Sequence, residues 1–243
     1  MTTRVEGLVA TGTPSEDGTP GRPRWRRPIA LTILIGVAAG VAIGGAGSAV
    51  IWMNARSHQS ASSTTTCDAI GCTYLGTPAP GFTLTDQTGR VVSLAHLRGE
   101  VVILEFMDPV CTDICPIVSA EFERANDILG SASTGVAFVG VNVNQYRRSP
   151  ADLRSYSAKH GLSSLRNWYF LTGSTPQLRS VWARYGITVE PNPDGDVVHT
   201  SVVYFIDPGG RIRFAAFPDS SKAGIPLWGR TIAATVRHIQ SSA

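Results

Sequence analysis

Apolar residues gather into one long uncharged stretch near the N-terminus and then into short runs divided by polar turns. The long stretch, 29–53, contains no Asp, Glu, Lys or Arg. At about 1.5 Å per residue it spans a bilayer core of roughly 30 Å as a helix. After it the periodicity changes. Phe82 and Leu84 alternate with Thr83 and Thr85, residues 86–89 are polar and end in Gly89, and Val91, Val92 and Leu94 follow, which predicts a β-hairpin. The run 101–106 is apolar except for Glu105, and 136–143 is apolar apart from Asn142; both predict buried strands. Residues 116–129 predict a helix with Phe122, Ala125 and Leu129 on one face. A shorter helix begins at Pro150 and stops at Gly161; another runs from Pro176 to Tyr185, capped by Gly186. Residues 168–171 predict a strand. Residues 201–206 and 211–216 flank Asp207-Pro208-Gly209-Gly210 as a second hairpin, and a last helix covers 225–239. The order is β-hairpin, βαβα, βα, ββ, α. It predicts an α/β fold with a mixed sheet and helices on both faces.

The N-terminal third organises around the apolar stretch. Residues 1–28, rich in Gly, Pro, Thr and Arg, predict a disordered tail. Arg22, Arg24, Arg26 and Arg27 abut the stretch, and Trp25 and Trp52 lie near its ends as interfacial anchors. The arginines place the N-terminal side in the cytoplasm and export the rest, so the expectation is a single-pass cell-membrane protein with an extracytoplasmic C-terminal domain. A cleaved signal peptide is the alternative, but both the segment before the stretch and the stretch itself are longer than a signal peptide needs. Residues 54–72 then predict a flexible polar tether, and 73–243 one domain with its own core. The formal net charge of +3 owes much to the basic flank, so it does not point to nucleic acid.

All four cysteines fall on the exported side. Cys111-Thr112-Asp113-Ile114-Cys115-Pro116 lies between the first long strand and the helix after it, a thioredoxin-like layout. Helix N-termini favour thiolates, and Pro116 suits the first helical position. Two thiols at this spacing close a disulfide or grip one soft ion such as Cu(I). A structural staple is the weaker reading, because so small a loop yields little entropy. His199 stands where the late hairpin begins, and no proline immediately precedes Ser201, where thioredoxin-like oxidoreductases place a cis-proline. A neutral imidazole beside two thiolates suits Cu(I) and tolerates Cu(II).

The Cys-x-Asp-x-Cys-Pro pattern at 111–116 resembles the Sco/SenC family. So does His199-Thr200-Ser201 leading into Tyr204-Phe205-Ile206-Asp207-Pro208-Gly209-Gly210. The resemblance implies a membrane-tethered thioredoxin fold that binds copper and helps metallate the Cu(A) site of cytochrome c oxidase. A thiol–disulfide reductase acting on that site's cysteines is the alternative. It further implies Cys111, Cys115 and His199 as copper ligands, with Asp113 orienting the loop. The oxidase subunit carrying Cu(A), a copper donor and a thiol reductant are the implied partners. Two segments depart from the family pattern: Phe106-Met107-Asp108-Pro109-Val110 lacks a histidine before the first cysteine, and Val141-Asn142-Val143-Asn144 lacks the usual aspartate and proline.

Other residues admit more than one role. Cys67 and Cys72 form either a local disulfide or a second thiol pair relaying electrons or copper, and crosswise pairing with Cys111 or Cys115 stays open. Met107 reads as core packing rather than a soft ligand. Glu105 is either a hydrogen-bonded edge residue or a buried carboxyl that aids proton transfer. His58, His96, His160 and His238 read as surface, and Trp168, Trp182 and Trp228 as packing aromatics. Thr112-x-x-Cys115 matches half of a thiol peroxidase motif, but Pro109 lies one residue too near Cys115 for the rest. A copper sensor or scaffold is a third class that sequence does not separate from a chaperone.

Overall fold

The structure, a computed structural model, describes residues 67–242. Its strands are β1 (Thr73–Pro78), β2 (Thr83–Asp86), β3 (Val91–Ser93), β4 (Val101–Met107), β5 (Val136–Asn142), β6 (Trp168–Thr172), β7 (Val189–Glu190), β8 (Val198–His199), β9 (Val203–Ile206) and β10 (Arg211–Ala216). Its helices are α1 (Ile114–Leu129), α2 (Pro150–Lys159), α3 (Thr175–Tyr185) and α4 (Ile225–Ser241). Eight strands make one mixed sheet in the order β1-β10-β9-β4-β5-β6-β2-β3. The β4–β5 and β5–β6 pairs are parallel and the others antiparallel. A separate two-stranded sheet joins β7 to β8, with Val189 opposite His199.

The central strands β4 and β5 are apolar except for Glu105 and Asn142 because both of their faces are covered. Along β4, Val101, Ile103 and Met107 pack beneath α1 and α4, whereas Val102, Leu104 and Phe106 pack on the face that α3 covers. Glu105 falls on the α1 side of that alternation and is buried with it. In β10, Arg213 is an extra residue against β9, so Ile212 and Phe214 point to opposite faces despite being two apart.

Several boundaries differ from the sequence expectation. α1 starts at Ile114, capped by Asp113, so Pro116 sits in the first turn but not at its first position, and Cys115 is a helical residue. The first-turn N–H groups have no intrahelical partner, so the proline is tolerated there too. The late hairpin begins at Val203, and His199 belongs to the small β7–β8 sheet. β1 is an unanticipated edge strand, and the N-terminal hairpin, β2–β3, forms the opposite edge. Residues 67–72 carry a disulfide and a short 3-10 turn, and Cys67 is fully buried against the core. Among the described residues no helix is long and apolar enough to cross a membrane. The anchor expected over 29–53, the tail before it and His58 lie outside them.

Candidate metal centre

The chain leaves β4 into a buried carboxylate. Asp108 is wholly inaccessible, and its carboxylate accepts from the Val110 N–H at 3.0 Å, from Asn144 Nδ2 at 3.2 Å and from the Val197 N–H at 2.8 Å. One side chain thus ties together the cysteine loop, the segment after β5 and the segment entering β8. Burial pushes its pKa up, while those donors and nearby His199 pull it down. The Asp108 carbonyl accepts the Cys111 N–H at 3.2 Å and turns the chain toward α1.

Cys111 and Cys115 are both free thiols, 6% and 2% exposed. The Cys115 N–H donates to Cys111 Sγ at 3.3 Å. Cys111 Sγ donates in turn to Asp113 Oδ1 at 2.9 Å, and the same oxygen accepts the Ile114 N–H at 2.6 Å. These bonds hold the Asp113 carboxyl below its ordinary pKa. The Cys115 thiol is pushed well up by its contact with Cys111, by burial and by the second sulfur's charge. Behind it, Ser119 Oγ donates to the Cys115 carbonyl at 2.9 Å and meets Tyr156 Oη at 2.9 Å.

His199 Nδ1 lies 2.9 Å from the Thr200 carbonyl, so Nδ1 carries the proton and Nε2 keeps its lone pair. Burial lowers the His199 pKa and keeps the ring neutral. Its donor set, two soft sulfurs and a neutral imidazole, fits Cu(I). The structure brings the two sulfurs together and leaves His199 apart from them. Among the described residues no three His, Cys, Asp or Glu side chains converge closely enough to hold a metal ion.

The remaining candidates are placed as follows. Cys67 and Cys72 are bonded to each other. Met107 is buried in the core, and so are Trp168, Trp182 and Trp228. His96 is exposed, His160 stacks on Tyr156 with ring centroids 4.4 Å apart, and neither approaches the cysteines at hydrogen-bond range. Glu105 is buried, accepts Ser201 Oγ at 2.6 Å and is pushed up to about 8 by burial. Sequence reasoning missed two groups. Asp108 stands in the sequence only within a departure from the family pattern, although an acid just past a buried strand is a usable signal. Glu121, on α1, is fully buried with both carboxyl oxygens unpartnered; nothing in a helical glutamate's neighbours announces that.

The sequence profile of the SCO1/SenC family matches residues 76–225. The SCO1 protein homolog of Bacillus subtilis (strain 168) is 30% identical over 134 residues, covering 54% of this chain and 69% of that protein. The structure of Bradyrhizobium japonicum ScoI with copper bound aligns with a TM-score of 0.55 at 25% identity, covering 67% of this chain and 99% of that one. A Mycobacterium tuberculosis (strain H37Rv) protein with a provisional peroxiredoxin name is 29% identical over 145 residues, covering 58% of this chain and 83% of that protein. The profile match runs from β1 through the cysteine loop and the His199 segment to the start of α4, more than half of the sequence, and the chain belongs to the SCO1/SenC family.

Proposed function

We propose that this chain is a membrane-anchored, extracytoplasmic copper chaperone that carries copper on Cys111, Cys115 and His199 for the Cu(A) site of cytochrome c oxidase. The observation that carries the reading is the pair of free, adjoining sulfurs at the start of α1, with a neutral imidazole whose Nε2 is uncommitted. Taking up Cu(I) displaces the thiol protons, and Asp113 is placed to receive the one on Cys111. Closure of the set requires the His199 segment to move toward the cysteines. Delivery then proceeds by ligand exchange, with thiolates of the oxidase subunit replacing Cys111 and Cys115 in steps. The apolar stretch 29–53 and its arginine flank support the anchor, with the N-terminus in the cytoplasm.

The same adjoining sulfurs support a second reading, a thiol–disulfide reductase. There Cys111 and Cys115 pass two electrons and two protons to a client disulfide and become a disulfide themselves. The upward shift at Cys115 weighs against that thiol as a nucleophile near neutral pH.

Anaerobic Cu(I) titration of the reduced domain 60–243 against a competing chelator separates the two. One tight equivalent that weakens in His199→Ala and in Cys115→Ser is expected for the chaperone. Affinity falls as pH is lowered, by about tenfold per pH unit for each proton displaced, because the Cys115 thiol holds its proton to high pH. Weak binding indifferent to His199, together with ready exchange of the pair with disulfides, would sink the copper reading.

A further inference from the structure

His199 lies between two polar ties to the end of one strand. Two residues before it, the Val197 N–H donates to Asp108 Oδ2 at 2.8 Å. Two residues after it, Ser201 Oγ donates to Glu105 Oε1 at 2.6 Å. The accepting carboxyls are 0% and 1% exposed, and both come from β4 or the residue directly following it. That strand leads into the loop carrying Cys111, and Glu105 projects on the α1 side, where Cys115 sits.

A carboxyl at 105 is not what a core would select. Its alternating neighbours Ile103 and Met107 are apolar and packed. Glu105 Oε2 has no hydrogen-bond partner, and an unpartnered buried carboxyl oxygen is destabilising. An apolar residue of similar volume would serve stability better. What the carboxyl supplies instead is an acceptor for Ser201, on the far side of His199 from the acceptor that Asp108 supplies for Val197.

We propose that Glu105 and Asp108 are positioning residues that clamp the chain on either side of His199 and fix the place from which the short segment between the two ties, with its imidazole, closes on Cys111 and Cys115. The proposal rests on the copper reading for its consequence but not for its geometry. The small sheet holding His199 has only two residues per strand, too few to fix a ring by pairing alone. The two ties supply that constraint while leaving the segment between them free to close on a metal.

The test uses the full chain in two measurements. In Cu(I) competition, Ser201→Ala and Glu105→Leu each weaken binding about tenfold, the scale on which groups supporting a ligand act. Glu105→Gln keeps an acceptor for Ser201 and stays within about twofold of wild type. In a His199→Ala background none of the three has a further effect, because there is no imidazole left to place. In the metal-free protein labelled with ¹⁵N-histidine, the His199 ring signal is assigned by its loss in His199→Ala. It shifts or broadens in Ser201→Ala and Glu105→Leu and stays put in Glu105→Gln. A ring signal unmoved in Ser201→Ala overturns the clamp, as does a loss of affinity that persists without His199. If Glu105→Leu fails to fold, Ser201→Ala decides alone. If His199→Ala itself leaves copper affinity intact, the copper reading falls, and the ring signal still judges the clamp.

Discussion

The chain contains two cysteine pairs of similar spacing at the edge of the same core, and they end in different chemical states. Cys67 and Cys72 close a disulfide with Cα atoms 5.4 Å apart. The turn between them, Asp68–Ile70, ends in Gly71 at a φ of 66°, a left-handed conformation that glycine adopts without strain. No side chain caps that turn. Cys111 and Cys115 are not bonded to each other, although they are almost as buried as Cys67. What differs is the polar environment of the sulfur: Cys111 donates to Asp113 and accepts from the Cys115 N–H. Burial of one sulfur therefore does not separate the bonded pair from the free one, since Cys72 is only partly buried while Cys67 is fully so; the polar groups aimed at Cys111 do.

The comparison breaks most visibly if the pairs are exchanged in their effect on metal. Cys115→Ser is expected to lower Cu(I) affinity by more than about 100-fold, beyond the loss of a merely supporting group. Replacing Cys67 and Cys72 together by alanine should leave affinity within about twofold. Competition titrations of both variants check this, and a large effect from the second would mean that it relays copper. Next comes Asp108. Asp108→Ala leaves the Val110 and Val197 N–H groups without their acceptor in a buried position and the Asn144 amide with only the Gly195 carbonyl. We expect about 3 kcal/mol of lost stability by urea unfolding, from the price of unpaired buried donors. A loss under about 1 kcal/mol would show that water or a shifted loop replaces the carboxylate.

The disulfide has the smaller structural effect. Closing a loop of five-residue separation restricts the unfolded chain modestly, so Cys67→Ala/Cys72→Ala should cost about 2 kcal/mol under non-reducing conditions. The same variant measured in reductant should fall below the reduced wild type by only about 1 kcal/mol, the packing of the buried Cys67 sulfur, because both then lack the crosslink.

How much of this is legible in the sequence follows burial. β4 and β5 are buried on both faces and show as apolar runs each interrupted by one polar residue, Glu105 and Asn142; α3 carries Pro176 in its first turn and Gly186 as its left-handed cap. β1 was not legible. It is an edge strand with mostly exposed side chains, Gly76 at positive φ and an irregular register between Tyr74 and Thr77, so no alternation marks it. The Cys111–Cys115 spacing and the His199 segment were legible as motifs. Their supports were not, since the partners of Asp108 come from residues 144 and 197 and the partner of Glu105 from residue 201. The start of α1 was misplaced for a related reason: Asp113 caps the helix and accepts the Cys111 proton with one oxygen, and a sequence shows neither bond.

The finest distinction between the two regions is electrostatic. α1, which carries Cys115, also buries Glu121, whose carboxyl is pushed up to about 8 by burial, reinforced by Glu105 and Asp219. The unfolded chain releases that proton near the ordinary 4.5. Between those values the folded protein holds a proton that the unfolded chain lacks, so stability is greatest at the acidic end and declines as pH rises toward 8. Glu105 is shifted the same way and adds to the slope. Glu121→Gln removes one contributor and leaves a neutral side chain of the same shape. It should match wild type near about pH 4, where the carboxyl is protonated in both states, and exceed it by about 2 kcal/mol near about pH 8, roughly half of the full linkage over that interval. Urea unfolding at both pH values reads the difference directly. A variant whose stability declines as steeply as wild type would mean that Glu121 is already ionised or already hydrated in the fold. A shallower decline would place the pH sensitivity of this domain in the layer between α1 and β4, away from the disulfide-closed turn.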